Sequence, residues 1–254
     1  MWAVVVAGGS GRRFGAPKQF AHVGGRPLVA WALDAAATCA AGTVLVVPPD
    51  RLAGGAVVGA GRLRADAVVP GGATRSASVR AGLAAVPDDA GIVVVHDAAR
   101  PLATPSLFRA VVSALVDDPD LAAAIPGVPV TDTLKRLDGT RVAATVPRDG
   151  LVAVQTPQAF RADVLRRAHA SGDDATDDAG MVEQAGGTVR VVEGEHANVK
   201  VTVESDLALA ELLVACAGRR GSAGARERSP NPPGAAAPGT SEPGTSEPGT
   251  EVEG

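Results

Sequence analysis

The stretch Ala7–Gln19, AGGSGRRFGAPKQ, concentrates glycines and cations. Gly8, Gly9 and Gly11 let a backbone turn sharply and approach a ligand without Cβ clashes. Arg12, Arg13 and Lys18 add positive charge to the same loop. Exposed N–H groups beside cations suit a polyphosphate better than a neutral ligand. Two familiar glycine motifs fail here. A dinucleotide fingerprint needs a third glycine where Phe14 stands, and a Walker A loop needs a closing Gly-Lys-Ser/Thr that is absent. A plain turn with solvated basic residues is the competing reading.

A second stretch, PGGATRSASV over residues 70–79, opens on a glycine pair and continues into a helix carrying Arg75 and Ser78. It reads as a second ligand loop or as an ordinary N-capped turn. The stretch HDAARP follows a strand expected over Gly91–Val95. A carboxylate at the carboxyl end of a parallel strand lies where open α/β sheets bind ligands. Asp97 is therefore a candidate Mg²⁺ ligand, with Ala98 and Ala99 leaving room beside it and Arg100 offering a fork for phosphate. The alternative is a turn in which Asp97 pairs with Arg100. His96 reads as a satisfied core residue rather than a catalyst. Lys200 is the only cation of the extended stretch Asn198–Thr202.

The elements that must position these residues follow an α/β rhythm. Trp2–Val6, Thr43–Val47, Val68–Val69, Gly91–Val95 and Leu121–Ile125 are apolar runs of strand length. Helices are expected over Pro27–Ala40, after the glycine pair and on to about Val86, and from Thr104-Pro105 to near Asp117-Asp118-Pro119. This alternation predicts a mostly parallel sheet covered by helices. The rhythm breaks at Val128–Leu137 and Arg141–Val146, which flank Asp138-Gly139, a hairpin signal. The hairpin is too polar for a core and is expected to project as an arm over about residues 128–148. A strand over Leu151–Gln155, a helix over 162–170, a helix capped by Thr176, a strand over Thr188–Glu193 and a helix over Ser205–Ala217 complete residues 1–217. From Gly218 the chain turns Gly-, Pro-, Ser- and Glu-rich, and 218–254 is expected to be a disordered tail.

The bulk properties narrow the function classes. The 254 residues are 46% hydrophobic with a net charge of −4, which disfavours nucleic acid as a partner. With four Phe, two Trp and no Tyr, little is available for stacking bases. Cys39 and Cys216 lack metal-ligand spacing and read as buried thiols in a reducing compartment. No apolar run reaches membrane-spanning length and no signal segment stands out, so a cytoplasmic protein is expected.

Taken together, AGGSGRRFGAPKQF, PGGATRSASV, VHDAARP, PVTDTLKR, VPRDGLVAVQTPQAF, ATDDA and NVKVT closely resemble the 2-C-methyl-D-erythritol 4-phosphate cytidylyltransferase family of the non-mevalonate isoprenoid pathway. The resemblance implies a Rossmann-like α/β fold, a homodimer joined by projecting arms, and a CTP- and Mg²⁺-dependent nucleotidyl transfer. It implies that Ala7, Gly8, Gly9, Gly11, Arg13 and Lys18 form the triphosphate loop. It places Gly72, Arg75 and Ser78 on the cytidine side, and Asp97 as the metal and substrate carboxylate with Ala98 and Arg100 beside it. Thr133 and Arg148 match arm residues that reach the acceptor across the dimer. Thr156, Thr176 and Lys200 match the remaining substrate and phosphate contacts. The segment between Arg13 and Pro17 is short, and Ala197 stands where many relatives carry a polar residue. A cytidylyltransferase for another polyol phosphate, such as ribitol 5-phosphate, would share these features. A non-catalytic nucleotide-binding protein would not need Lys18, Asp97, Arg148 and Lys200 together.

Overall fold

A computed structural model describes residues 1–9, 14, 17–53, 56–57, 63–170 and 172–226. The expected ligands Gly11 and Arg13, with Arg12, lie outside the described residues, as does the tail from residue 227. The compact unit is Met1–Ala217; Gly218–Gly254 is a separate unit.

The elements run β1 Trp2–Val6, α1 Leu28–Ala37, β2 Gly42–Val47, β3 Ala67–Pro70, α2 Arg75–Leu83, β4 Ile92–Asp97, α3 Pro105–Asp117 and β5 Ala123–Pro129. There follow β6 Leu134–Asp138, β7 Arg141–Val146, β8 Val152–Val154, β9 Gln158–Arg161, α4 Ala162–His169, α5 Asp178–Gln184, β10 Val189–Glu193 and α6 Glu204–Arg226. The sheet is ordered β8-β5-β9-β4-β1-β2-β3, with β10 added in parallel to β5. Strands β1 to β4 are mutually parallel, and β8 and β9 run against β5.

Side chains alternate between the two faces of each strand, so β1 serves two cores at once. Ala3 and Val5 pack with Val29 and Leu33 of α1 and Phe108 of α3. Val4 packs on the other face with Val79 and Leu83 of α2 and Leu165 of α4. Phe108 and Phe160 are fully buried. Truncating either to Ala would cost about 3–5 kcal/mol. Thr104 caps α3 as expected, its side chain accepting from the Leu107 N–H, with Pro105 in the first turn.

Several expectations need correction. Gln158–Arg161 is a strand, pairing antiparallel with both β4 and β5. Thr176 does not cap α5; Asp177 does, accepting from the Gly180 N–H. Helix α6 runs past Ala217 to Arg226. Cys39 and Cys216 are only half-buried, and neither forms a disulfide. The expected hairpin forms: among the described residues β6 pairs only with β7, in a two-stranded sheet, and Gly139 takes the positive φ that its turn requires. No described helix is long and apolar enough to cross a membrane.

Candidate active site

Backbone hydrogen bonds continue beyond the strand ends and hold the ligand loops in register. The Ala7 N–H donates to Val46 O (2.7 Å), the Ala98 N–H to Val6 O (3.0 Å) and the Gly71 N–H to Val47 O (2.7 Å). The loops after β1, β3 and β4 therefore lie side by side at the carboxyl end of the sheet. They border a cavity of about 740 Å³, lined among others by Gly8, Gly9, Lys18, Arg75, Asp97 and Lys200. That volume is ordinary for a small-molecule site.

Two buried side chains shape the glycine loops. Gln19 is 3% exposed and donates through Nε2 to Ala7 O (2.6 Å) and Gly9 O (2.9 Å). With those carbonyls held back, the loop is pinned from behind. Ser78 Oγ accepts from the Gly72 N–H (3.2 Å) and donates to Thr74 O (2.9 Å). A Cβ on Gly8 or Gly71 would come within 2.9 Å of that hydroxyl. Both loops approach Ser78 this closely because they carry glycine.

Asp97 is the electrostatic centre. Arg75 Nε donates to its Oδ1 at 3.2 Å, and Lys200 Nζ to its Oδ2 at 2.6 Å. Burial alone would raise the Asp97 carboxyl, but Arg75 and Lys200 outweigh it and hold the group well below the usual carboxylate range. Arg75 gains in return: burial disfavours its charge, yet Asp97 and Asp178 keep it above its ordinary value.

The backbone behind Asp97 is fixed by a directed chain of hydrogen bonds. His96 is fully buried, and burial pushes its imidazole down to about 4, so the ring is neutral. Its Nε2 lies 3.2 Å from Arg100 O, which can only accept, so Nε2 carries the proton. Nδ1 is then an acceptor and takes the Thr156 hydroxyl proton at 3.1 Å. Thr156 Oγ1 in turn accepts the Asp97 N–H at 3.1 Å. The reading of His96 as a satisfied core residue holds.

The remaining candidates are spread more widely. Ala98 is fully buried, and it is Ala99 that lines the cavity. Arg100 donates to Asn198 O (2.8 Å) and Val154 O (3.2 Å), anchoring the segment that carries Lys200. Its two terminal nitrogens therefore hold protein carbonyls in this chain. Thr133 and Arg148 are exposed and do not line the cavity; Arg148 Nη1 donates to Thr131 O at the base of the arm. Thr176 is exposed, also away from the lining. Gln19, His169 and Asp178 are the residues that sequence reasoning missed. Gln19 had a signal in its place directly after Pro17-Lys18. Asp178 and His169 had none, because their partners lie on other elements.

A buried, ionised carboxylate among long-chain cations suits the handling of phosphate. Among the described residues no group of three or more His, Cys, Asp or Glu side chains could hold a metal ion. A lone carboxylate suits Mg²⁺, which commonly takes one or two protein carboxylates and completes its shell with phosphate oxygens and water. Asp97 thus fits an ion bound together with a nucleoside triphosphate.

A mostly parallel sheet whose carboxyl ends bring a glycine loop, two lysines, an arginine and a carboxylate to one cavity defines a nucleotidyltransferase of the α/β class. The model of the 2-C-methyl-D-erythritol 4-phosphate cytidylyltransferase family matches residues 1–216. The chain belongs to that family. It is 42% identical over 226 residues to the Rubrobacter xylanophilus 2-C-methyl-D-erythritol 4-phosphate cytidylyltransferase, covering 87% of this chain and 97% of that one. It is 46% identical over 235 residues to the enzyme of the same name from Cupriavidus pinatubonensis, covering 84% and 93%. The crystal structure of the enzyme from Thermus thermophilus has a TM-score of 0.68 and 36% identity, covering 84% of this chain and 98% of that chain.

Proposed function

We infer that the chain transfers CMP from CTP to 2-C-methyl-D-erythritol 4-phosphate in isoprenoid precursor synthesis. The products are 4-diphosphocytidyl-2-C-methyl-D-erythritol and pyrophosphate. The observation that carries the reading is the convergence of Lys18, Lys200, Arg75 and Asp97 on one cavity, in a chain of this family.

An oxygen of the acceptor phosphate attacks the α-phosphorus of CTP, and pyrophosphate leaves. A phosphate monoester has its second pKa at about 6, so the nucleophile is already ionised at neutral pH. No general base is required, and His96, neutral and bonded on both nitrogens, is not placed to act as one. The difficulty is bringing two anions together. Positioning and fixed positive charge supply most of the acceleration in such reactions.

Lys18 and Lys200, with Arg13, stabilise charge on the reacting phosphates. Backbone N–H groups of the loop at Gly8 and Gly9 cradle the triphosphate, with the Ala7 N–H spent on Val46 O to fix where that loop begins, while Gly72, Arg75 and Ser78 border the cytidine. Mg²⁺ held by Asp97 would neutralise triphosphate charge and polarise the α-phosphoryl group. On the acceptor side Thr156 and Arg100 act through the backbone they hold, Thr156 behind Asp97 and Arg100 at the segment that carries Lys200. Leu137 and Val142 on the arm are 58% and 61% exposed, which supports a homodimer in which Thr133 and Arg148 complete the partner's site. The protein works in the cytoplasm.

Pyrophosphate release tests the reading, with CTP and Mg²⁺ and either methylerythritol 4-phosphate or ribitol 5-phosphate. Release with the first alone is expected. Release only with ribitol 5-phosphate would keep the mechanism and overturn the acceptor. No release with either, from folded protein that binds CTP, would leave a nucleotide-binding protein.

A further inference from the structure

Asp178, the first residue of α5, has no exposed surface, yet it carries a carboxylate. A charge persists in such a place only when it is paired. Both of its oxygens are engaged. Oδ2 accepts from Arg75 Nη1 at 2.7 Å, and Oδ1 accepts from His169 Nε2 at 3.0 Å. His169 is itself buried, and among the described residues its Nδ1 has no partner. A buried polar atom left unpaired is costly. The ring is therefore oriented for Asp178 at the expense of its other nitrogen.

Arg75 is held at two points, by Asp178 through Nη1 and by Asp97 through Nε. Its Nη2 makes no hydrogen bond among the described residues, and Arg75 lines the cavity. The guanidinium is planar and rigid, so fixing two nitrogens fixes the direction of the third. Without Asp178, the tether left among the described residues is Asp97, whose carboxylate also receives Lys200. Asp178 does not line the cavity. The start of α2 is tied to the same region, where Thr74 Oγ1 donates to Asp174 Oδ1 at 2.6 Å.

We propose that Asp178, braced by His169, is a positioning residue that acts through Arg75 and aims its guanidinium at bound CTP. The proposal rests on the assignment of the cavity to CTP. It makes the junction between α4 and α5 part of nucleotide recognition without contact to the nucleotide.

Steady-state kinetics on the full chain test it, with Asp178→Asn, Arg75→Ala and the double variant. Asp178→Asn is expected to raise KM for CTP about tenfold and leave KM for the acceptor unchanged, a size ordinary for coupled neighbours. Added to Arg75→Ala, it should cause no further loss. His169→Ala should raise KM for CTP by less, and His169→Gln, which keeps a donor, should restore it. The His169 pair decides the matter should Asp178→Asn fail to fold. A normal KM for CTP in folded Asp178→Asn would overturn the proposal. So would an effect of Asp178→Asn that persists undiminished beside Arg75→Ala. If Arg75→Ala itself leaves KM for CTP unchanged, the CTP assignment falls and the proposal with it.

Discussion

Lys200 Nζ donates to Asp97 Oδ2 at 2.6 Å across 103 positions of sequence. The bond ties the segment after β10 to the end of β4, and it places an ammonium group at the cavity's carboxylate. Lys200→Ala removes one preorganised donor. The expected loss in kcat is about 10²–10³-fold, with the fold retained because the Lys200 side chain is 43% exposed. Turnover near normal in folded Lys200→Ala would remove Lys200 from the chemistry.

The arm makes a claim about assembly. Arg148→Ala and Lys18→Ala subunits are each expected to be inactive. A mixed dimer would hold one intact site, with Lys18 from one subunit and Arg148 from the other. Mixing the two variants should therefore recover activity. Proven mixed dimers without recovery would count against a shared site.

Gly72 tests the fit of the second loop. A Cβ there would lie 2.4 Å from Ala77 Cβ and 3.1 Å from the Ala77 backbone carbon. Neither atom can turn aside, so Gly72→Ala should push the loop away from α2. A misplacement of this kind can cost on the order of 10²-fold, expected here in kcat/KM for CTP. Gly91→Ala is the control, since a Cβ there meets nothing within 4 Å. Equal kinetics for the two variants would contradict the close approach.

His96 gives a pH dependence with a definite sign. Burial holds it near 4 in the folded chain, below its ordinary 6.5. As pH falls from about 6.5 towards 4, the unfolded chain binds a proton that the folded chain refuses. Stability is therefore lost across that window, and this contribution levels off below it. His96→Asn lacks the titration. The stability gap between wild type and variant, measured by denaturant unfolding at about pH 7, 5 and 4, should narrow on acidification. A constant gap would show that His96 takes up its proton equally in both states.

Much of the site was legible because its residues stand at strand ends. Gly8 and Gly9 after Val6, and Asp97 after an apolar run, follow from the geometry of parallel sheets. The arm was legible from Asp138-Gly139 and the polar strands beside it. The strand Gln158–Arg161 was not, because its length and composition do not separate it from a loop. It forms because β4 and β5 leave a gap that an antiparallel strand fills here. The cap of α5 reads one residue early in the sequence, at Thr176 instead of Asp177. Asp178 is buried against Arg75 and His169, and no local pattern carries that pairing.

The proposed reaction is a direct displacement at the α-phosphorus by an already ionised phosphate, assisted by fixed cations. The most direct test uses CTP with sulfur at one α-phosphoryl oxygen of known configuration, with Mg²⁺ and methylerythritol 4-phosphate. A single in-line displacement inverts the configuration at phosphorus, and inversion is the expected result. Retention would require a nucleotide carried on the enzyme and would contradict the account.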